Sequence, residues 1–364
     1  MQHKKVRIGV IGTSWWVSKM YIPSLLSHPS VEVVAVCGRS LGRAREIATQ
    51  FGTQNVFGDY RDLVSKGGCD AVVIATPDDL HCEMALAAID AGLHVLCEKP
   101  LANNSEDASG MLERAKAAGI KHMVLYTWRW QPHWRYMKKL LEAAYVGNCH
   151  YAEFKFLGSF ALDPGYKWRF DGQRANGVTG DLGSHMIDFA QWFLGDVTEV
   201  YGELSSFVDQ SADTGPGVPG ANDFGFLSLA FSSNARAQIT ASAVNLLGDE
   251  GVRVSAALYG DEGTLEVNHP YFGVGAGPRI RGVRKGEAAL ADLPVPAEFF
   301  SGGVDPDALF DPYIKQSAGP RQFIDAILDD HAIECDFMTG VRVQRIVDAA
   351  LQSSRERRWI RIAA

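Results

Sequence analysis

His94-Val95-Leu96-Cys97-Glu98-Lys99-Pro100 is a run of strand length closed by a carboxylate, a lysine and a proline. Proline cannot continue a sheet ladder, and it biases the residue before it towards extended backbone. The run therefore reads as a buried strand with Lys99 at its carboxyl end, which is where open α/β sheets bind ligands. Glu98 beside it is suited to hold the ammonium. On three letters alone, a surface lysine next to a strand-ending proline is the commoner reading, so the neighbouring elements have to discriminate.

They do so on both sides. Val6 to Ile11 is an apolar run ending at Gly12, and Val31 to Cys37 follows after about 20 residues of helix-like spacing, the pattern of a βαβ unit. Gly42 to Phe51 reads as a helix stopped by Gly52. Ala71 to Ala75 is a strand ending in Thr76-Pro77, and His81 to Ala91 a helix closed by Gly92. Leu93 to Cys97 is the strand of the opening stretch. A helix capped by Ser105 runs to Gly119, and Lys121 to Tyr126 is a further strand. This alternation predicts a doubly wound parallel sheet.

The pattern changes after Tyr126. Trp134 to Ala144 reads as a helix. Tyr151 to Phe156, Val200 to Phe207, Phe226 to Phe231, Ala237 to Val244, Val252 to Tyr259 and Gly263 to Val267 alternate with period two. That predicts a mostly antiparallel sheet with one face covered. Helices are expected over Gly183 to Phe193, Pro320 to Asp330 and Gly340 to Arg355. Ser211 to Asn222 is rich in Gly and Pro and reads as a loop, and Phe272 to Ala318 as mostly irregular.

The chain has 364 residues, enough for about two domains, and a formal net charge of −8. Without a basic stripe, nucleic acid and anionic membranes are poor partners. Six scattered cysteines with no C-x-x-C motif suit a reducing, cytoplasmic setting and no zinc site. There is neither a signal-type apolar segment nor an apolar run of about 18 residues.

Three clusters carry chemistry. Gly12-Thr13-Ser14-Trp15-Trp16-Val17 lies where a dinucleotide-binding turn belongs, but Ser14 and Val17 stand where the fingerprint has small Gly or Ala residues. Ser14 still lets backbone N–H groups approach a pyrophosphate at a helix N-terminus. After the second strand come Gly38-Arg39-Ser40 and Arg43, with no carboxylate for a ribose hydroxyl. Two arginines and a hydroxyl suit a 2′-phosphate, hence NADP, with NAD as the alternative; a solvated basic loop would look the same. Asp181 and His185 are four apart, which places them on one helical face. An imidazole is the natural general base near neutral pH, and a carboxylate beside it fixes its tautomer. An ordinary helix-start Asp with a core His fits those two letters as well.

Together, Ala75-Thr76-Pro77, His81, Ala91-Gly92-Leu93-His94-Val95, Glu98-Lys99-Pro100-Leu101 and Asp181-Leu182-Gly183-Ser184-His185-Met186-Ile187-Asp188 resemble the glucose–fructose oxidoreductase / inositol dehydrogenase (Gfo/Idh/MocA) family over essentially the whole chain. The resemblance implies an α/β fold: a Rossmann domain over 1–125 and a C-terminal α/β domain with a large, mostly antiparallel open sheet over 126–364, the last helices packing back on the first domain. It implies NAD(P)-dependent hydride transfer at a secondary alcohol of a sugar, inositol or related polyol. Lys99 matches the family's catalytic lysine, and Asp181 and His185 its catalytic pair. Trp168-Arg169 and Arg129 match segments on the substrate side, while Thr76, Pro77, His81 and Glu98 fall on the nicotinamide side. Family members usually pair through the open sheet, so a homodimer or homotetramer is expected. Two rivals share the scaffold: a glycoside hydrolase that recycles its NAD, and a non-catalytic nucleotide sensor. The sensor would have no use for Lys99, Asp181 and His185. The chain departs from the family at Ser14, at Val17, at the bulky Trp15 and Trp16, and at Asn176-Gly177-Val178.

Overall fold

The computed structural model describes residues 5–163, 165, 167–209, 220–273 and 277–363. The chain forms two compact units, Met1–Trp130 with Ser301–Arg342, and Gln131–Phe300 with Val343–Ala364. The chain thus passes between units after Trp130, Phe300 and Arg342, where the sequence suggested one break at 125/126.

The first unit holds six parallel strands in the order β3-β2-β1-β4-β5-β6. These are β1 (Val6–Ile11), β2 (Val31–Cys37), β3 (Asn55–Phe57), β4 (Ala71–Ile74), β5 (His94–Glu98) and β6 (His122–Leu125). These strands are mostly apolar because helices cover both faces, and all four residues of β4 are fully buried. After β1 the chain is helical from Trp15, through a π-helical turn (Val17–Tyr21) into α1 (Ile22–Leu26). The other helices between strands are α2 (Leu41–Phe51), α3 (Tyr60–Lys66), α4 (His81–Asp90) and α5 (Ser105–Ala118). Strand order reverses between β1 and β4, which makes the crevice at their carboxyl ends the switch point where such sheets bind ligands.

Two local expectations change here. The cap of α5 is Asn104, not Ser105: Asn104 is extended and its side-chain oxygen accepts from the Asp107 N–H at 2.8 Å. An amide one residue earlier reaches the third N–H, so Ser105 becomes the first helical residue. The strand β3 and helix α3 went unread because three residues and seven residues carry too little periodicity.

The second unit begins with α6 (Pro132–Glu142). It contains a nine-stranded sheet in the order β14-β13-β12-β11-β7-β10-β9-β8-β15. The strands are β7 (Cys149–Leu157), β8 (Val197–Ser205), β9 (Phe224–Phe231), β10 (Arg236–Ser242), β11 (Val252–Gly260), β12 (Gly263–Tyr271), β13 (Arg279–Arg284), β14 (Ala291–Asp292) and β15 (Ile360–Arg361). β7 and β10 pair parallel, and the other neighbours pair antiparallel. The stretch 272–318 expected to be irregular thus supplies β13 and β14 within this unit and, in the first unit, the helix Asp311–Lys315. Of the Gly/Pro-rich segment Ser211–Asn222, residues up to 219 lie outside those described.

Alternation in the strands buries one face. Ala152, Phe154 and Phe156 of β7, Ala237, Ile239 and Ala241 of β10, and Val254, Ala256 and Leu258 of β11 point inward. Against this layer packs α7 (Ser184–Leu194), whose Phe189 stacks on Trp134 of α6 at 4.2 Å between ring centroids. Among the described residues, no helix is long and apolar enough to cross a membrane.

Candidate active site

The site in the first unit starts at Gly12. Its φ is +132°, and a Cβ there would sit 2.3 Å from the Ala75 carbonyl oxygen, so only glycine lets the β1 turn pass this close to the end of β4. Gly12 N–H bonds the Cys37 carbonyl and Ala75 N–H the Ile11 carbonyl, which ties the ends of β1, β2 and β4 together. Ser14 stands just before the helix, and its Oγ accepts from the Val17 N–H at 3.4 Å. Thr13 fills the space against Gly38, where a Cβ would lie 2.4 Å from its methyl group. The turn therefore presents a helix N-terminus at the switch point, with a small side chain at Ser14, as a dinucleotide pyrophosphate requires. Beyond β2, Arg39, Ser40 and Arg43 are all exposed. Ser40 caps α2 by accepting from the Arg43 N–H, and the Arg43 guanidinium pairs with Glu46 at 2.8 Å. Arg43 is thus already engaged, which leaves Arg39 as the better placed of the two arginines for a 2′-phosphate.

At the end of β5, the Glu98 carboxylate accepts from two donors. Tyr21 Oη donates to Oε1 at 2.8 Å, and the Lys99 backbone N–H to Oε2 at 2.9 Å. Tyr21 is fully buried. Burial and the charge of Glu98 push its hydroxyl well above the ordinary tyrosine value, so it remains a donor. Sequence reading did not find Tyr21, because 77 positions separate it from Glu98. Lys99 is half-buried, and its peptide bond to Pro100 is cis. His81 is fully buried, with Nδ1 2.8 Å from the Pro100 carbonyl oxygen and Nε2 3.0 Å from that of Thr76. Burial pushes its pKa down, so the ring is neutral and donates to one of the two. It lies between the ends of β4 and β5 and presents no ring edge to solvent. Arg129 is buried as well, in the 3₁₀ turn Thr127–Trp130, with a guanidinium nitrogen 3.9 Å from Glu334.

The second unit carries the other candidates. Asp181 lies in a π-helical turn, Thr179–Gly183, that runs directly into α7, which carries His185. Asp181 Oδ2 is 3.0 Å from Arg169 Nε, and the Arg169 guanidinium lies over the Trp168 ring at 4.4 Å. The Trp168-Arg169 segment is thus brought onto the Asp181 carboxylate. His185 is buried, its ring 5.8 Å from that of Phe156. The π turn is held from outside by Asn222, which sequence reading placed in a loop. Its Oδ1 accepts from Thr179 N at 3.0 Å and Thr179 Oγ1 at 2.7 Å, and its Nδ2 donates to the Asn176 carbonyl at 2.9 Å. Gly177, at φ +63°, passes so near Asn222 that a Cβ would meet its carbonyl oxygen at 2.3 Å.

The family model described as the oxidoreductase family with an NAD-binding Rossmann fold matches residues 6–126, and the GFO/IDH/MocA C-terminal domain model matches residues 134–266. The chain belongs to the Gfo/Idh/MocA oxidoreductase family. Levoglucosan dehydrogenase of Pseudarthrobacter phenanthrenivorans is 34% identical over 185 residues, 50% of this chain and 47% of that protein. D-xylose 1-dehydrogenase (NADP(+)) 2 of Haloferax volcanii is 31% identical over 207 residues, 57% of this chain and 62% of that one. The chain thus spans about half to two thirds of these curated relatives in the aligned segments. A solved levoglucosan dehydrogenase in complex with NADH superposes with a TM-score of 0.87 at 22% identity, covering 99% of this chain and 100% of that one, which establishes the Gfo/Idh/MocA fold.

Proposed function

We propose that this protein is an NAD(P)-dependent dehydrogenase acting on a secondary alcohol of a sugar or polyol. The observation that carries this reading is Lys99, held at the carboxyl end of β5 beside a Glu98 carboxylate pinned by Tyr21. In this reading the first unit binds the dinucleotide through Gly12, Thr13, Ser14, Arg39 and Ser40, and the second recognises the substrate through Asp181, His185, Trp168 and Arg169. A nicotinamide dinucleotide held by these residues would supply the hydride acceptor for the alcohol carbon. Lys99 donates a hydrogen bond to the alcohol oxygen and stabilises its developing negative charge. His185 takes the hydroxyl proton, and Asp181, steadied by Arg169, orients the imidazole. His81 acts by holding the strand ends in place. The free cysteines suit a reducing, cytoplasmic compartment.

The test is a panel of levoglucosan, D-xylose, D-apiose and scyllo-inositol, followed by nicotinamide absorbance with NAD and with NADP. Lys99→Ala and His185→Ala are each expected to lower turnover by about two orders of magnitude while cofactor affinity stays within several-fold. Near wild-type turnover in either variant removes that residue from the mechanism. NADP is expected to bind about tenfold tighter than NAD, and Arg39→Ala to erase the difference. Equal affinities in the wild type would sink the NADP preference.

Self-association is proposed through the outer face of the nine-stranded sheet. Lys155 pairs there with Glu153 at 2.9 Å and Arg281 with Glu266 at 2.7 Å, and Tyr151 stacks on Tyr259. Such a broad, ordered, half-buried face suits a two-fold partner. A strict monomer by light scattering at micromolar concentration counts against it.

A further inference from the structure

A phosphate-binding turn works through backbone N–H groups and small side chains, yet this one carries indoles at positions 15 and 16. Pyrophosphate binding through backbone N–H groups gives their indole side chains no role. Trp15 is 48% exposed. Its ring centroid lies 5.5 Å from that of Trp16 and 5.5 Å from that of Phe310. Trp16 in turn meets Phe310 at 5.5 Å and Trp128 at 6.2 Å. All four rings belong to the first unit, and Phe310 arrives with the segment that returns to it after Phe300.

The sheet order says where this cluster stands. Trp15 and Trp16 follow β1, and Trp128 follows β6 by three residues. Between β1 and β6 lie β4 and β5, a separation of about 14 Å at ordinary strand spacing. Rings that leave the end of β1 and touch a ring beyond β6 therefore span the ends of β4 and β5, where Thr76 and Lys99 emerge. The helical segment behind the indoles leans the same way, since Tyr21 reaches Glu98 of β5.

We propose that Trp15, Trp16, Trp128 and Phe310 form an aromatic wall that receives the C–H face of the sugar or polyol ring while one of its hydroxyl groups is presented to Lys99. The proposal rests on the dehydrogenase reading above. A cyclic polyol is polar around its rim and apolar across its C–H face, and that face matches an indole or phenyl surface. Exposed apolar patches beside a polar reacting group mark ligand sites. Trp128 is buried and backs the wall, while Trp15 and Phe310 supply the accessible surface.

The test uses the full-length enzyme and whichever of the four panel sugars gives the highest kcat/KM. Trp15→Ala and Phe310→Leu are each expected to raise KM for that sugar about tenfold and leave the cofactor Kd within about twofold. Titrating the sugar into the cofactor-bound wild type is expected to change tryptophan fluorescence, and Trp15→Ala to reduce that change. An unchanged KM in both variants overturns the wall. So does a cofactor Kd that weakens as much as KM, which would assign the rings to the nicotinamide. If the wild type turns over a panel sugar while both variants keep its KM, the wall alone fails. No turnover of any panel sugar with either cofactor overturns the dehydrogenase reading, and the wall with it.

Discussion

Glu98 has a buried phenol on one oxygen and a backbone N–H on the other. Hydrogen bonds to a charged acceptor contribute roughly 1.5–3 kcal/mol, so removing the phenol donor weakens the hold on this half-buried carboxylate. We propose that Tyr21 positions Lys99 through the carboxylate beside it. Tyr21→Phe keeps the ring that fills the core and removes only the hydroxyl. Turnover is expected to fall about three- to tenfold while cofactor Kd stays within about twofold. Stopped-flow turnover together with a fluorescence titration of the cofactor checks both halves, and an unchanged kcat would remove Tyr21 from the explanation. His81 works differently. Its two nitrogens lie near the carbonyl oxygens of Pro100 and Thr76, its single N–H donates to one of them, and burial lowers its pKa, so its place is in the backbone frame.

Both candidate clusters sit beside a π-helical turn, Val17–Tyr21 in the first unit and Thr179–Gly183 in the second. Such turns recur at functional sites because an extra residue re-aims side chains that a regular helix would place elsewhere. Here one turn carries Tyr21 to Glu98, and the other carries Asp181 to Arg169. Neither was legible in the sequence, since five residues of wider winding leave no periodic trace. β1, β2, β4, β5 and β6 were legible because burial on both faces leaves them mostly apolar, with Arg7 and Glu32 the exposed interruptions in β1 and β2, and the seven-residue β10 because one buried face imposes period two. Lys99, Asp181 and His185 stood out through residue type at a strand end or helix start. Asn222 and Phe310 did not, because what each does depends on partners far away in the chain. Asn222 reaches Thr179 across 43 positions, and Phe310 meets Trp15 only after the chain has traversed the second unit.

Across the molecule, burial lowers the pKa of histidines in both units. His81, His94 and His122 in the first unit and His133 and His269 in the second all have lowered pKa values, with desolvation as the leading cause. Two of them are committed to the neutral form by geometry as well. His94 Nδ1 accepts from the Lys121 N–H at 2.9 Å, and His122 Nδ1 from the Phe337 N–H at 3.2 Å. His133, of α6, is pushed down to about 4. Its ring stands 5.4 Å from that of His269, which in turn stacks on Tyr271 and accepts or donates a 3.0 Å bond at Nδ1. Above about pH 6.5 these rings are neutral in both the folded and the unfolded chain, and their burial is without a protonation cost. As pH falls below about 6.5, the unfolded chain takes up a proton at each ring before the folded chain does, because every folded-state pKa is lowered. Stability then drops by up to roughly 1.4 kcal/mol per pH unit for each fully buried ring. The protein is expected to lose thermal stability steeply between pH 6.5 and 5, well above the range in which its carboxylates titrate. His133→Gln removes one of these protons, so its Tm is expected to fall less than that of the wild type over the same interval. Scanning calorimetry at pH 7.5, 6.0 and 5.0 measures both slopes, and parallel slopes for variant and wild type would show that His133 does not drive the acid transition.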